Sequence, residues 1–144
     1  MRVFPDANIF VAAFVWEDGI CGQILRALLA EKKHDLILSD WVWDETAETL
    51  REDFKVPPAK ISKFKERVLG QARSMQQPTP LALSPYRVSD PDDAVVLSSA
   101  LTARADVLIT GDQALLNLAE ALKAAEGLLI IHPKVFLKAK GHLW

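Results

Sequence analysis

Apolar residues recur along this chain at two spacings, and the alternation between them outlines an architecture. Runs of strand length occur at Val3-Phe4, Leu36-Ile37-Leu38, Val107-Leu108-Ile109 and Leu128 to Ile131. Helical spacing appears instead at Ile20, Ile24, Leu25, Leu28 and Leu29. A second helix is predicted from about Trp41 to Asp53, capped by Ser39 or Asp40, and a third from Ala59 to Arg73 with Ile61, Phe64, Val68 and Ala72 on one face. The best-marked helix start is Ser89-Asp90-Pro91-Asp92-Asp93. There Asp90 can cap, Pro91 suits the first helical position, and two acids occupy the first turn, so a helix should run through Leu97 and Leu101 to about Arg104. A further helix is predicted from Gln113 to about Ala125, with Gly127 as its stop, and the Pro-containing stretches near 57–58 and 78–85 read as loops.

The resulting order, βα, βαα, αβα, β, is that of an open, mostly parallel α/β sheet with helices on both faces. Reactive groups in such sheets collect beyond the carboxyl ends of the strands. Half of the 144 residues are hydrophobic and a quarter are charged, which suits one compact domain over 1–144, and no repeat, low-complexity segment or long linker divides it. No apolar run reaches the roughly 18 residues of a membrane span, and the amino terminus carries no signal-peptide pattern. A soluble, cytoplasmic protein is expected. Cys21 is the single cysteine, which excludes an internal disulfide and a thiolate cluster and leaves a small buried hydrophobe as its expected role. The net charge of −2 argues against nucleic-acid binding by bulk electrostatics, unless the negative charge is concentrated in a pocket that loads divalent metal.

Three acids stand where a site is expected: Asp6 after the first strand, Asp112 after the strand Val107 to Thr110, and Asp93 at the start of a helix entering that end of the sheet. Singly, each has an ordinary explanation as a turn or cap residue, because acids in a first helical turn are favoured by the helix dipole. Convergence changes this, since carboxylates meeting in one pocket repel one another unless a divalent cation neutralises them. Oxygen-only ligation points to Mg²⁺ or Mn²⁺ rather than zinc, and His34, His132 and His142 are not at ligand spacing. No GxSxG, GxxxxGK[ST] or GxGxxG pattern is present. Metal held by carboxylates at the edge of a parallel sheet suits phosphoryl transfer.

Taken together, Asp6-Ala7-Asn8-Ile9-Phe10, Ser39 with Glu45, Asp90-Pro91-Asp92-Asp93, and Thr110-Gly111-Asp112 before Leu115-Leu116 resemble the PIN-domain family. The likeness is in particular to the branch that supplies toxins of toxin–antitoxin pairs, and it extends from about Val3 to Phe136, with Ile131-His132-Pro133 and Phe136 similar to the family's last strand and closing segment. The resemblance implies a PIN-like three-layer α/β/α fold with a central sheet of four or five strands. It also implies a divalent-metal ribonuclease, an RNA substrate, a cognate antitoxin and a homodimer. Asp6, Glu45, Asp93 and Asp112 match the family's acidic quartet. By analogy Asp6 and Asp112 bind the main Mg²⁺ or Mn²⁺, Asp93 is a further ligand, and Glu45 positions the attacking water or accepts its proton. Asn8 and Thr110 are either polar support for these carboxylates or a turn residue and a strand end.

Several points stay open at this level. Asp92 competes with Asp93 for the pocket, and helix spacing favours only one of them. A shift of one turn would put Glu48 or Asp44 in place of Glu45. Pro5 replaces the family's usual aliphatic residue and is expected to displace the end of the first strand. Trp41 and Trp43 could stack on bases or fill an antitoxin groove, but core or dimer packing is the more ordinary role for helix aromatics. Arg51, Lys55, Lys63, Lys65 and Arg67 read as solvated helix faces, with phosphate contact as the competing role. A haloacid-dehalogenase-type phosphatase would need a second acid where this chain has Asn8. A stand-alone RNA-processing nuclease and a non-catalytic PIN-like binding module are compatible with the same motifs.

Overall fold

The computed structural model describes residues 1–31, 34–70, 74–77, 88 and 90–139. Five strands, β1 (Arg2–Pro5), β2 (Asp35–Ser39), β3 (Ser74–Gln77), β4 (Val107–Ile109) and β5 (Leu129–Ile131), form one sheet in the order β3-β2-β1-β4-β5. Every neighbouring pair is parallel. Eight helices are seen among the described residues: α1 (Ala7–Val15), α2 (Ile20–Ala30), α3 (Asp40–Glu52), α4 (Pro58–Leu69), α5 (Pro91–Thr102), α6 (Gln113–Leu116), α7 (Ala119–Glu126) and α8 (Pro133–Lys138). Consecutive residues of β2 and β4 are buried, which a strand shows only when both of its faces are covered. The fold is therefore a three-layer α/β/α sandwich around a central parallel sheet, as expected.

The chain builds outward from β1 through β2 to β3, then crosses back to lay β4 and β5 on the other side. The order reverses between β1 and β4, where open α/β sheets leave a crevice at the carboxyl ends of the strands. Register there is tight: Val3, Phe4 and Pro5 pair with Val107, Leu108 and Ile109. Pro5 does not displace β1 from β4, and the Asp6 N–H still donates to the Ile109 carbonyl at 2.9 Å. Backbone N–H groups alternate in direction along a strand, so the N–H that Pro5 lacks would have faced β2. On that side the ladder stops at Val3–Leu36.

Where sequence and structure differ, local chemistry explains it. The segment ANIFVAAFV of α1 is apolar almost throughout and rich in β-branched and aromatic residues, so it shows no helical stripe, yet Asp6 caps it and it buries Ile9, Phe10, Val11 and Ala13. The helix predicted over Gln113 to Ala125 is two helices, because the chain turns at Asn117-Leu118, where the Gln113 side chain donates to Asn117 Oδ1 at 2.7 Å. Gly127 ends α7 with φ 69°, a left-handed conformation that glycine adopts without strain. Pro58 is the first residue of α4 rather than part of a loop, and α4 ends at Leu69. The strand β3, with the polar sequence SMQQ, carries no apolar signal. Ala72, Arg73, Ser89 and the predicted loop 78–85 lie outside the described residues. Cys21 is half-buried rather than buried, and that burial pushes its thiol above the usual range.

The buried apolar residues form one connected cluster, from Val3 and Phe4 through Leu36 to Leu38 and Val107 to Ile109 to Phe136 under α8. Among the described residues no single helix is long and apolar enough to cross a membrane. The pair α1 and α2 reaches that length together, but it bends by 103° and turns its apolar residues into the core. Gly22 makes this bend possible, because a methyl group there would collide with the Glu17 backbone in the turn between the two helices. Gly22→Ala is expected to destabilise the protein by about 1–3 kcal/mol, the usual cost of overpacking. Urea denaturation checks this, and an unchanged midpoint would show that the turn is free to move.

Candidate active site

Four segments far apart in the chain bring carboxyl groups into one cleft of about 170 Å³ at the carboxyl end of the sheet: Asp6, Glu45, Asp112, and the group Asp90, Asp92 and Asp93. Their placement follows from the elements that carry them. Asp6 follows β1 directly and Asp112 lies three residues beyond β4, so the β1–β4 pairing sets them side by side. Glu45 reaches the cleft because Ser39 starts α3, its Oγ accepting the Val42 N–H at 3.1 Å. That start fixes the face of α3. Trp41 and Glu45, four residues apart, line the cleft, while Asp44 and Glu48 are exposed and do not.

Thr110 is the hinge of the arrangement. Fully buried at the end of β4, it donates from Oγ1 to Asp6 Oδ2 at 2.9 Å, and the same oxygen accepts the Asp112 N–H at 3.1 Å. One hydroxyl thus ties the β1 acid to the β4 acid. Asp6 Oδ1 accepts the Ala7 N–H at 2.7 Å, Asp90 Oδ1 the Asp92 N–H at 2.9 Å, and Asp112 Oδ1 the Ala114 N–H at 2.8 Å. Each of these three acids is a helix N-cap and a cleft residue at once.

Both Asp92 and Asp93 border the cleft. Asp93 is buried and Asp92 is exposed at the rim, so the expectation that only one of them reaches it gives way to an inner and an outer acid. Asn8 also lines the mouth but is exposed, and its side chain makes no hydrogen bond to the acids among the described residues. Asp90 was legible only as a cap, and three acids within four residues were the available signal that it belongs to the same wall. The two tryptophans separate. Trp41 lines the cleft, whereas Trp43 is buried with its ring 6.0 Å from Phe64 and the Lys65 ammonium 5.7 Å over it.

The electrostatic consequence is an unbalanced negative field, since no lysine or arginine is among the described residues lining the cleft. Burial raises the Asp6 carboxyl above its usual range, and the Asp112 charge adds to this against the lowering hydrogen bonds from Thr110 and Ala7. Glu45 is raised by burial and then by Asp92, Glu48, Asp6 and Asp44. Asp93 is pushed up from 3.8 to about 6, first by burial, then by the charges of Asp112 and Asp90, a hydrogen bond shared with Asp112, and the Asp6 charge. A site of this kind gains by taking up a cation.

Oxygen-only donors of this hardness suit Mg²⁺ or Mn²⁺. Among the described residues no group of three or more His, Cys, Asp or Glu is disposed as a ready-made metal cage.

A family model for the PIN domain matches residues 2–114, a span that holds all four segments of the cleft. The chain belongs to the PIN-domain family. No curated protein matches it. PIN domains are generally nucleases and bind nucleic acid, and they typically use divalent metals. In this PIN domain the matched span ends before β5 and α8, although both pack into the same core.

The raised Asp93 carboxyl has a stability signature. Its folded value lies above its unfolded one, so the native state binds the extra proton, and stability from this group falls as pH rises from about 4 through 6. In the metal-free protein at pH 7, Asp93→Asn is expected to be more stable than the parent by on the order of 1–3 kcal/mol. The two should converge near pH 4. Urea titrations in EDTA at both pH values check this, and an equal difference at each would refute the assignment.

Proposed function

We propose that this PIN-domain protein is a divalent-metal-dependent endoribonuclease. The observation that carries the reading is the convergence of acids from four separated segments on one cleft with no balancing cation in its wall. Asp6 and Asp112, tied together through Thr110, would hold the principal Mg²⁺ or Mn²⁺, with Asp93 as a further ligand directly or through water. When bound, the ion supplies charge neutralisation for the phosphodiester and lowers the pKa of water. Glu45, already raised in basicity by its surroundings, orients the attacking water and accepts its proton. That water's oxygen bonds to phosphorus, the P–O bond opposite breaks, and the departing oxygen takes a proton from solvent. Thr110 holds Asp6 and Asp112 at a fixed separation, while Asn8 and Trp41 form the mouth that RNA passes.

We read residues 1–144 as one such domain, because the core continues past the family match to Phe136. The ordered motif set supports a cytoplasmic toxin of a two-component pair, acting as a homodimer and held in check by a cognate antitoxin. The decisive assay incubates purified protein with structured and single-stranded RNAs in Mg²⁺, Mn²⁺ or EDTA. Cleavage should require metal and fall at least about 100-fold in Asp6→Asn and in Asp112→Asn, in line with loss of a charge-stabilising group. A folded protein that takes up metal yet cuts no RNA would leave a binding module. Light scattering over a range of concentrations should show a dimer, and a monomer throughout would remove that part of the proposal.

A further inference from the structure

A nuclease whose cleft is lined, among the described residues, by six acids and no base gains little grip there on the rest of a strand, because each further phosphate brings negative charge. A groove of about 490 Å³ lies at the other end of α1, between that helix and α4. Phe14, Val15 and Phe64 give it an apolar floor, the two phenylalanine rings meeting edge to face at 5.2 Å. Lys60, Lys63 and Arg67, spaced three and four residues apart on the exposed face of α4, line it with positive charge, opposed by Glu17. Arg67 also borders a neighbouring hollow of about 330 Å³ with Arg26, whose guanidinium donates to the Glu17 carbonyl and lies 3.9 Å from the Asp18 carboxylate, so among the described residues the free positive charge here is that of α4.

Two aromatic rings stand beside this groove. Trp16, between the lining residues Val15 and Glu17, is 59 % exposed, and Phe54, at the end of α3, is 39 % exposed. They meet edge to face at 5.8 Å, which leaves Trp16 open to solvent over most of its area. A positive groove with open aromatic rings beside it is the arrangement by which proteins hold single strands: cations track the backbone and rings stack on bases. α1 connects this groove to the acidic cleft. Asn8 at the cleft and Val15 at the groove are seven residues apart and so lie on one face of the helix. The separation is about 10 Å along the axis, on the order of three stacked nucleotides.

We infer that the α1–α4 groove is an exosite for the phosphate backbone of single-stranded RNA, with Trp16 as a stacking platform, which anchors the strand a few nucleotides from the acidic cleft. The inference rests on the nuclease reading of that cleft. The net charge of −2 averages over the whole chain and conceals this local separation of an acidic cleft from a basic groove.

The test measures binding without chemistry, by fluorescence anisotropy of labelled single-stranded RNA in EDTA over a range of salt. The triple variant Lys60→Gln, Lys63→Gln, Arg67→Gln is compared with the parent; all three side chains are exposed, and glutamine keeps helix propensity. The variant should bind at least about 10-fold more weakly, and its log–log salt slope should be smaller by about 2, at roughly 0.7 per lost phosphate contact. Trp16→Ala should weaken binding by about 5-fold or more at unchanged slope. Equal RNA binding by parent and triple variant overturns the exosite, as does a parent that binds no RNA. A labelled acidic amphipathic peptide is run in parallel, and a groove that takes the peptide through these three cations while RNA binding is unaffected also overturns it. The two readings fail separately. A parent that binds RNA through the groove but cuts nothing with metal removes the nuclease and keeps the exosite, whereas metal-dependent cutting with unchanged RNA binding in the triple variant does the reverse.

Discussion

Repulsion among carboxylates at the reversal of strand order is the constraint on which the rest of this structure turns. The sheet order sets the ends of β1 and β4 together, and the chain places an acid just beyond each. Left to themselves these charges would separate or protonate. Thr110 opposes the first by bonding the Asp6 carboxylate and the Asp112 backbone N–H, and the raised Asp6, Glu45 and Asp93 carboxyls lean toward the second. Charge strain of this sort is a poor way to stabilise a fold and a good way to attract a hard cation.

The same acids also build the frame that holds them. Asp6, Asp90 and Asp112 begin α1, α5 and α6, each committing one oxygen to a backbone N–H of the new helix. The amino ends of α1 and α5 therefore face the cleft, and their dipoles offset part of its negative charge. Capping and ligation are not rival accounts of these residues. A carboxylate has two oxygens with about four lone-pair sites, so an acid that caps a helix keeps acceptor capacity toward the cleft for the cation proposed there.

Much of this was legible because strong local signals coincided with the residues that line the cleft. Short apolar runs marked β1, β2, β4 and β5, Ser39 and Asp90 marked the starts of α3 and α5, and the acids at those boundaries marked the cleft. What was not legible depended on tertiary surroundings. α1 is buried on so much of its surface that it lost the polar stripe that identifies helices, and β3, with the sequence SMQQ, lacks a strand-length apolar run and is recognised only from its pairing with β2. Trp41 and Trp43 are alike in sequence but lie on different faces of α3, so one borders the cleft and the other enters the core. The cations of α4 read as a solvated helix face until α1 is seen packed near them, which makes them the wall of a groove.

Calorimetric titration of Mn²⁺ into the protein near pH 6, beside Asp112→Asn, tests the central claim most directly. The account predicts one saturable uptake in the parent, accompanied by proton release as the raised carboxyls ionise, and its loss in the variant. No saturable uptake up to millimolar Mn²⁺, or the same uptake in the variant, would contradict it.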